Sequence, residues 1–538
     1  MDLLQAGSEA FNEACTMLDN FTEATAGLDD IEELLETILN LLSSSSSDGS
    51  EKTKRRKLDA DAEAGLLTLH SRTFLLLGQL IEHKDHVRAF DLYSKSHALA
   101  SKIPNDDSIA VEPCVELGRY SFKYAVDEKM LDKAKQHLTR AIELVGEPTP
   151  TSDSDSNSSS KSDSKSDSKS DTNSDSNSDS DDEEDDVFAA GREAKMYLAR
   201  LICQSSASDA LARKHLLEMD YKYRLSPVVI RSSAGVVNPV EDETFVGAWD
   251  DIYSPNLLGR LQSCFLPSSP FFSEHKYNSP SCGYFSYKMP LPLKSTGDIL
   301  TSAISRVHKT VCSRMPKTKR ATWVEWWCHS RHHNDGHSLH YDYIFSDDKG
   351  GEGARHPLAS TVSYLEADCG GPTLITDQTM SNGLSSFGYK VEPKKNRLLC
   401  FEGNRLHCVL PGSELPPSND SRRVTLMIAF WEFDPGAPMT PEKSEKAFEW
   451  PGVVRSEYDE AVREGSIATD PHNNDAILRV DKLIEDLKHP ESDVGPIDLL
   501  DDGIFTFFGA LNSGLVIAKK GVCSLNCGGK CEVCRQTM

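Results

Sequence analysis

A chain of 538 residues with a net charge of −26 is long for one domain and allows two to four. From Asp153 to Asp186 thirteen acidic residues face three lysines, a local −10 that leaves −16 of the −26 for the remainder. A generally acidic surface repels phosphate backbones, which disfavours nucleic acid as a partner unless one basic groove overrides the average.

Residues 1–63 hold one clear helical pattern, Ile31 to Leu42, whose apolar residues recur at three and four. Ser43 to Ser47 is expected to break it. The N-terminus, Met1-Asp2-Leu3-Leu4-Gln5, lacks the charged-then-apolar pattern of a secretion signal, and no run approaches the roughly eighteen apolar residues of a membrane span. Lys52-Thr53-Lys54-Arg55-Arg56-Lys57 forms a compact basic cluster, readable as a nuclear-import signal or as a solvated linker. A soluble protein of the nucleus or cytoplasm, with no membrane partner, is expected.

Residues 64–146 read as helices. Leu77-Gly78, Ala89-Phe90 and Ala98 are followed by Leu117-Gly118, Ala134, Ala141-Ile142 and Leu144. This order of small residues resembles tetratricopeptide repeats, where Gly and Ala let paired helices approach, although about four extra residues separate Gly118 from Ala134. An ordinary helical bundle would show a similar pattern, so an α-helical repeat-like region is the expectation. Residues 147–186, almost wholly Ser, Asp, Asn and Lys, cannot offset chain entropy by burial and are expected to be disordered. Residues 187–236 continue the helical region, with a third helical pair from Ala189 to Tyr223, and connect it to a strand-rich region. That region, residues 237–435, has Gly283 to Tyr287 as its entry strand and a helix at Pro255 to Leu261 beside the strands.

The chemistry concentrates between Trp326 and Trp431. His340 and Asp342 stand two apart, and in a strand they share a face. His333-Asn334-Asp335 is a second copy of the same spacing, so the pair alone proves little. Downstream, Ser360 to Glu366 and Thr373 to Thr376 read as two strands of a hairpin joined through Gly370-Gly371-Pro372. Then Pro393 to Asn396 turns, Arg397 to Phe401 is a strand, and Glu402-Gly403-Asn404 turns again to deliver His407. Two imidazoles and a carboxylate occupy one face of an octahedral Fe(II) and leave the others open. Arg423 lies in a strand on one face with Thr425, and its guanidinium fork suits a carboxylate. Arg422 is its competitor, because adjacent strand residues face opposite ways.

Taken in order, His340-Tyr341-Asp342, Ser363 to Glu366 with Gly370 to Thr373, Pro393 to Phe401 leading to His407, and Arg423 ahead of Phe430-Trp431 resemble the Fe(II)- and 2-oxoglutarate-dependent dioxygenases, in their prolyl 4-hydroxylase-like branch. The resemblance covers roughly Asp242 to Phe433. It implies a double-stranded β-helix (jelly-roll) catalytic domain, which with the helical repeat-like domain ahead of it makes an α+β protein. It implies iron at His340, Asp342 and His407, with Arg423 and the Tyr364 hydroxyl on the far carboxylate of 2-oxoglutarate. No catalytic residue beyond the metal ligands is required, and ascorbate is an implied helper. Two departures bear on pocket shape: His337 stands where the branch often has an aromatic, and Trp326-Trp327-Cys328 replaces a Tyr-rich strand.

Residues 436–538 read as a helical extension, with candidates at Ser456 to Val462 and Ala476 to Leu487. They end in Cys523, Cys527, Cys531 and Cys534, four thiols that either hold a tetrahedral Zn²⁺ as a second metal or remain free. The other ten cysteines are scattered, as in a reducing compartment that also keeps Fe(II) available. The expected function is oxidation of a peptide or protein side chain with release of succinate and CO₂, the helical surface suiting an extended chain. A nucleic-acid demethylase of the same superfamily, marked by a basic groove, and a non-catalytic helical scaffold with an inactive barrel are the alternatives.

Overall fold

The computed structural model describes residues 2–19, 28–47, 60–146, 181–230, 245–293, 299–436 and 473–488, with strands at 447–449 and 516–517. Short breaks fall inside those ranges, the longest at 272–285 and 346–353. The basic cluster at 52–57, the helix expected at 456–462 and the four tail cysteines lie outside the described residues. Two compact units divide the chain: 1–16, 28–119 and 134–197 form the first, and 17–27, 120–133 and 198–538 the second.

The first unit is helical. It holds α1 (Asp2–Asp19), α2 (Leu28–Ser47), α3 (Ala60–Ile81) and α4 (His86–Ala100), with most of α5 (Val111–Lys123), α6 (Glu128–Val145) and α7 (Asp181–Ser205). In α2 the residues Ile31, Leu35, Ile38 and Leu42 are all buried, the stripe their spacing predicts. The expected break at Ser43 does not occur, since α2 runs on through Ser47. Serine is a weak rather than a forbidden helix residue, and a helix already nucleated extends through it cheaply. Likewise the acidic end of the Ser/Asp run is not disordered: the backbone at 181–186 is the start of α7, where acidic residue types are compatible with a helix macrodipole.

Close approach of paired helices rests on two glycines. A Cβ at Gly78 would lie 2.6 Å from the Tyr93 ring and one at Gly118 2.6 Å from Leu138 Cγ, so α3 meets α4 and α5 meets α6 where no larger residue fits. A buried polar net closes the first pair. Glu82 accepts from the Tyr93 hydroxyl at 3.0 Å and is ion-paired with Arg119.

The second unit carries α8 (Ala210–Glu218), β1 (Tyr223–Leu225), β2 (Val246–Trp249), α9 (Pro255–Phe265), β3 (Ser286–Pro290), α10 (Ile299–Arg314), β4 (Trp323–Arg331) and β5 (His337–His340). Beyond them come β6 (Ile344–Phe345), β7 (Ala354–Arg355), β8 (Ala359–Ala367), β9 (Thr373–Thr376), β10 (Phe387–Val391), β11 (Leu398–Phe401), β12 (His407–Val409), β13 (Arg423–Trp431), β14 (Ala447–Glu449), β15 (Ile477–Asp481), β16 (Ile484–Asp486) and β17 (Val516–Ile517). The third helical pair therefore ends at Glu218, and Tyr223 opens a strand. The entry strand is Ser286–Pro290, with 283–285 outside the described residues.

Two main sheets form. One has seven strands in the order β14-β3-β4-β13-β8-β11-β2, the other five in the order β15-β10-β9-β12-β5. Every pairing in them is antiparallel except β14 with β3. Val246, Tyr364, Leu399 and Phe401 of the larger sheet join Ile375, Tyr389 and Val391 of the smaller in one buried cluster, so side chains from both sheets share a core. Against the larger sheet pack α9 and α10, through Leu261, Phe265, Ile304 and Val307 onto Trp326, Leu426, Ile428 and Phe430. All nine residues of β13 are buried, as befits a strand covered on both faces.

Two further expectations are not met in this unit. The strands flanking Gly370-Gly371-Pro372 are not a hairpin: β8 lies between β13 and β11 in the larger sheet, and β9 between β10 and β12 in the smaller. The chain crosses from sheet to sheet at Gly370 (φ +94°) and Gly371, where a Cβ would stand 2.2 Å from the Leu410 carbonyl oxygen. The region 476–487 is not a helix but a short 3-10 turn followed by β15 and β16. Its buried Ile477, Val480, Leu483 and Leu487 are spaced at three and four. The open edge of β10 nevertheless captures the segment as a strand, pairing Ile477 with Val391, because unpaired edge groups gain ladder hydrogen bonds that way.

Candidate metal centre

The two histidines meet because their strands are neighbours. His340 is the last residue of β5, His407 the first of β12, and the two face each other across the ladder. Their ring centroids are 4.2 Å apart. Asp342 is not in the strand with His340, as the two-residue spacing suggested, because β5 ends at His340. It is held from outside: Ser360 Oγ donates to Asp342 Oδ2 at 2.5 Å, and His356 Nδ1 donates to the Asp342 carbonyl at 2.8 Å. The free oxygen, Oδ1, then lies 3.7 Å from His340 Nε2 and 3.9 Å from His407 Nε2. His407 Nδ1 donates to the Arg405 carbonyl at 2.9 Å. That bond fixes the tautomer and leaves the Nε2 lone pair for a metal.

The second His-x-Asp copy is a turn. The Asp335 amide donates to the His332 carbonyl at 3.1 Å, the Gly370 amide donates to His333 Nδ1 at 3.1 Å, and neither His333 nor Asp335 joins a ligand cluster.

The pocket around Asp342 contains about 540 Å³ of empty space, its open mouth included. Arg423, Thr425 and Tyr364 line it together with Thr373, while Arg422 does not. Arg423 is 3% exposed. Its Nη1 donates to the Gly371 carbonyl at 2.9 Å, and its Nε has no hydrogen-bond partner among the described residues. Burial pulls its pKa down. The Tyr364 hydroxyl is 2.7 Å from Thr373 Oγ1, and burial raises its pKa, so it remains a donor. A buried cation with an orphaned N–H beside two hydroxyls is a receptor for a carboxylate.

Trp327, His329 and Arg331 also line the pocket from β4. Their period of two was visible in the sequence, but alternation in a strand marks a face and not a site. His329, His337, His340 and His407 form a row, with ring centroids 5.6, 4.5 and 4.2 Å apart. Burial holds His329 and His337 well below the usual imidazole range, hence neutral. Ser360 was also missed as a partner of Asp342, since nothing local marks a strand serine as a carboxylate clamp.

On β4, two residues before Trp327, Glu325 is partly buried. It accepts from Trp431 Nε1 at 2.9 Å and from Ser286 Oγ. Burial, with Asp342 adding repulsion, pushes its carboxyl up to about 7 from an ordinary 4.5. The folded state therefore keeps a proton that the unfolded chain loses, so stability is full below pH 4.5 and falls as pH rises toward 7. The loss amounts to about 3 kcal/mol. Glu325→Gln is expected to flatten this slope, read as urea midpoints at acid and alkaline pH in chelator-treated protein.

The nine cysteines within the described residues are all free thiols. No helix among the described residues is long and apolar enough to cross a membrane. No family model matches the chain, and no curated protein matches it.

Proposed function

We propose that the protein is a non-haem Fe(II)- and 2-oxoglutarate-dependent dioxygenase that hydroxylates a peptide or protein side chain. The two facing sheets would be its double-stranded β-helix, and the glycine-spaced helical hairpins a repeat-like accessory unit. One observation carries the reading: the two imidazoles and one carboxylate converge in the same pocket as a buried arginine whose Nε lacks a partner among the described residues. The donor set fits the metal, since all three ligand atoms lie within 4.8 Å of one another and their chemistry is that of a facial triad.

Bound there, Fe(II) with 2-oxoglutarate would supply the O₂-derived oxidising power, releasing succinate and CO₂. The chain supplies placement. His340, Asp342 and His407 would hold the ion, with Ser360 and the Arg405 carbonyl fixing the orientation of two of these ligands. Arg423 would pair its unpartnered Nε with the distal carboxylate, Tyr364 and Thr373 adding hydroxyls. Trp327, Val362, Phe401 and Met427 are apolar lining that excludes water. A peptide or protein substrate is favoured over a polynucleotide by the net charge of −26.

The test is succinate release by the full chain with Fe(II), 2-oxoglutarate and O₂, alone and with a peptide library. Slow uncoupled turnover, accelerated by a subset of peptides, is expected. No turnover in any arm would overturn the reading, and acceleration by single-stranded nucleic acid alone would move it to the demethylase branch.

A further inference from the structure

The helical unit contains a second group of metal-ligating side chains. His97 stands in the last turn of α4, Cys114 near the start of α5 and His137 in the middle of α6. Three helices thus bring one donor each to a common point. The three ligand atoms lie within 4.8 Å of one another. The imidazoles meet edge to face, with ring centroids 5.9 Å apart at 79°. Cys114 is fully buried, while His97 and His137 are partly exposed, so the cluster has a closed inner end and a solvent side.

We infer that His97, Cys114 and His137 form a zinc site that ties α4, α5 and α6 together. One thiolate and two imidazoles are the donor chemistry of a borderline-soft divalent ion, and a three-residue set leaves a fourth tetrahedral position on the solvent side for water. Bonds of about 2.0 Å to nitrogen and 2.3 Å to sulfur place tetrahedral donors roughly 3.5 Å apart. The two partly exposed imidazoles therefore swing inward onto the fixed thiol when the ion enters. Uptake balances as Zn²⁺ replacing the Cys114 thiol proton: the S–H bond breaks, a Zn–S bond forms and one H⁺ leaves to solvent.

The surroundings are consistent with that exchange. Burial lowers the pKa of His97 and so keeps its lone pair available, and Arg140 acts in the same direction. Burial raises Cys114 to about 11, Arg140 offsetting only part of the rise, so the thiol holds its proton until an ion displaces it. Arg140 would also repel a dication, but its Nη1 is 3.4 Å from Glu143 Oε2, which offsets that charge. None of these residues belongs to the pocket at Asp342, and the zinc site stands independently of the proposed oxygenase activity.

Cobalt(II) tests it, because a thiolate ligand gives Co²⁺ a charge-transfer absorption that the His340, Asp342 and His407 set cannot produce. The tail thiols are removed first, with Cys523, Cys527, Cys531 and Cys534 all replaced by serine in the full chain. In that background Co²⁺ is expected to give the thiolate band, saturating by two equivalents because the His340, Asp342 and His407 set also takes Co²⁺, and bleached by Zn²⁺. Cys114→Ser should abolish the band, and His137→Asn should weaken Co²⁺ binding at least tenfold, with circular dichroism unchanged. Should Cys114→Ser fail to fold, the His137→Asn titration decides. Absence of the band in the tail-serine protein, its survival in folded Cys114→Ser, or unchanged affinity in His137→Asn would overturn the site.

Discussion

Asp342→Ala is expected to lower Fe(II) affinity by at least about 100-fold, more than the loss of an outer-shell partner usually costs. The geometry makes this carboxylate the hub, because Oδ1 is the atom both imidazoles approach, at 3.7 and 3.9 Å. Removing it takes away the one negative charge of the donor set and leaves two neutral imidazoles with no anionic partner for a dication. Its other oxygen is held by Ser360, so Ser360→Ala should give a smaller loss of about tenfold by freeing the carboxylate to rotate. Because Asp342 lies just past the end of β5, the fold should survive. Competition with a fluorescent chelator reads both variants, and equal affinity in all three proteins would show that the convergence of donors has another cause.

Arg423→Gln should weaken 2-oxoglutarate binding about 100-fold and leave Fe(II) binding intact, since hydrogen bonds to a charged partner are worth roughly 1.5–3 kcal/mol each. The variant also separates a binding role from a structural one. A buried guanidinium that donates from Nη1 to the Gly371 carbonyl and leaves Nε without a partner among the described residues is a cost to the apo-protein. Replacing it should therefore leave the urea midpoint unchanged or raise it, whereas an architectural arginine would lower it. Arg423→Lys should recover only part of the affinity, because an ammonium lacks the planar fork. Isothermal titration of the iron-loaded variants gives the affinities.

Much of this site is legible in one dimension because its parts are strand ends and turns. Glu402-Gly403-Asn404 breaks the chain just ahead of His407, and the alternation through Arg423 and Thr425 separates Arg423 from its neighbour. What local pattern does not encode is the partner. Alternating residues mark β8 and β9 as strands, yet nothing in either says they belong to different sheets. That depends on how closely Gly371 passes Leu410, a contact set by tertiary packing. The misreading of 476–487 has the same origin, since Ile477 and Val480, at helical spacing with Leu483 and Leu487, fall in a strand once the edge of β10 is there to receive it. The cluster of His97, Cys114 and His137 was invisible for a related reason: three ligands on three helices, far apart in sequence, make no motif until the helices pack.

The most direct measurement of the central claim is an anaerobic titration of 2-oxoglutarate into the Fe(II)-loaded protein, followed by visible absorbance. A bidentate 2-oxo acid on Fe(II) gives a metal-to-ligand charge-transfer band that neither component shows alone. The account predicts such a band, saturating at one equivalent, absent from Asp342→Ala and shifted to much higher 2-oxoglutarate concentration in Arg423→Gln. No band in the wild-type protein, together with no calorimetric binding of Fe(II) or 2-oxoglutarate, would contradict it.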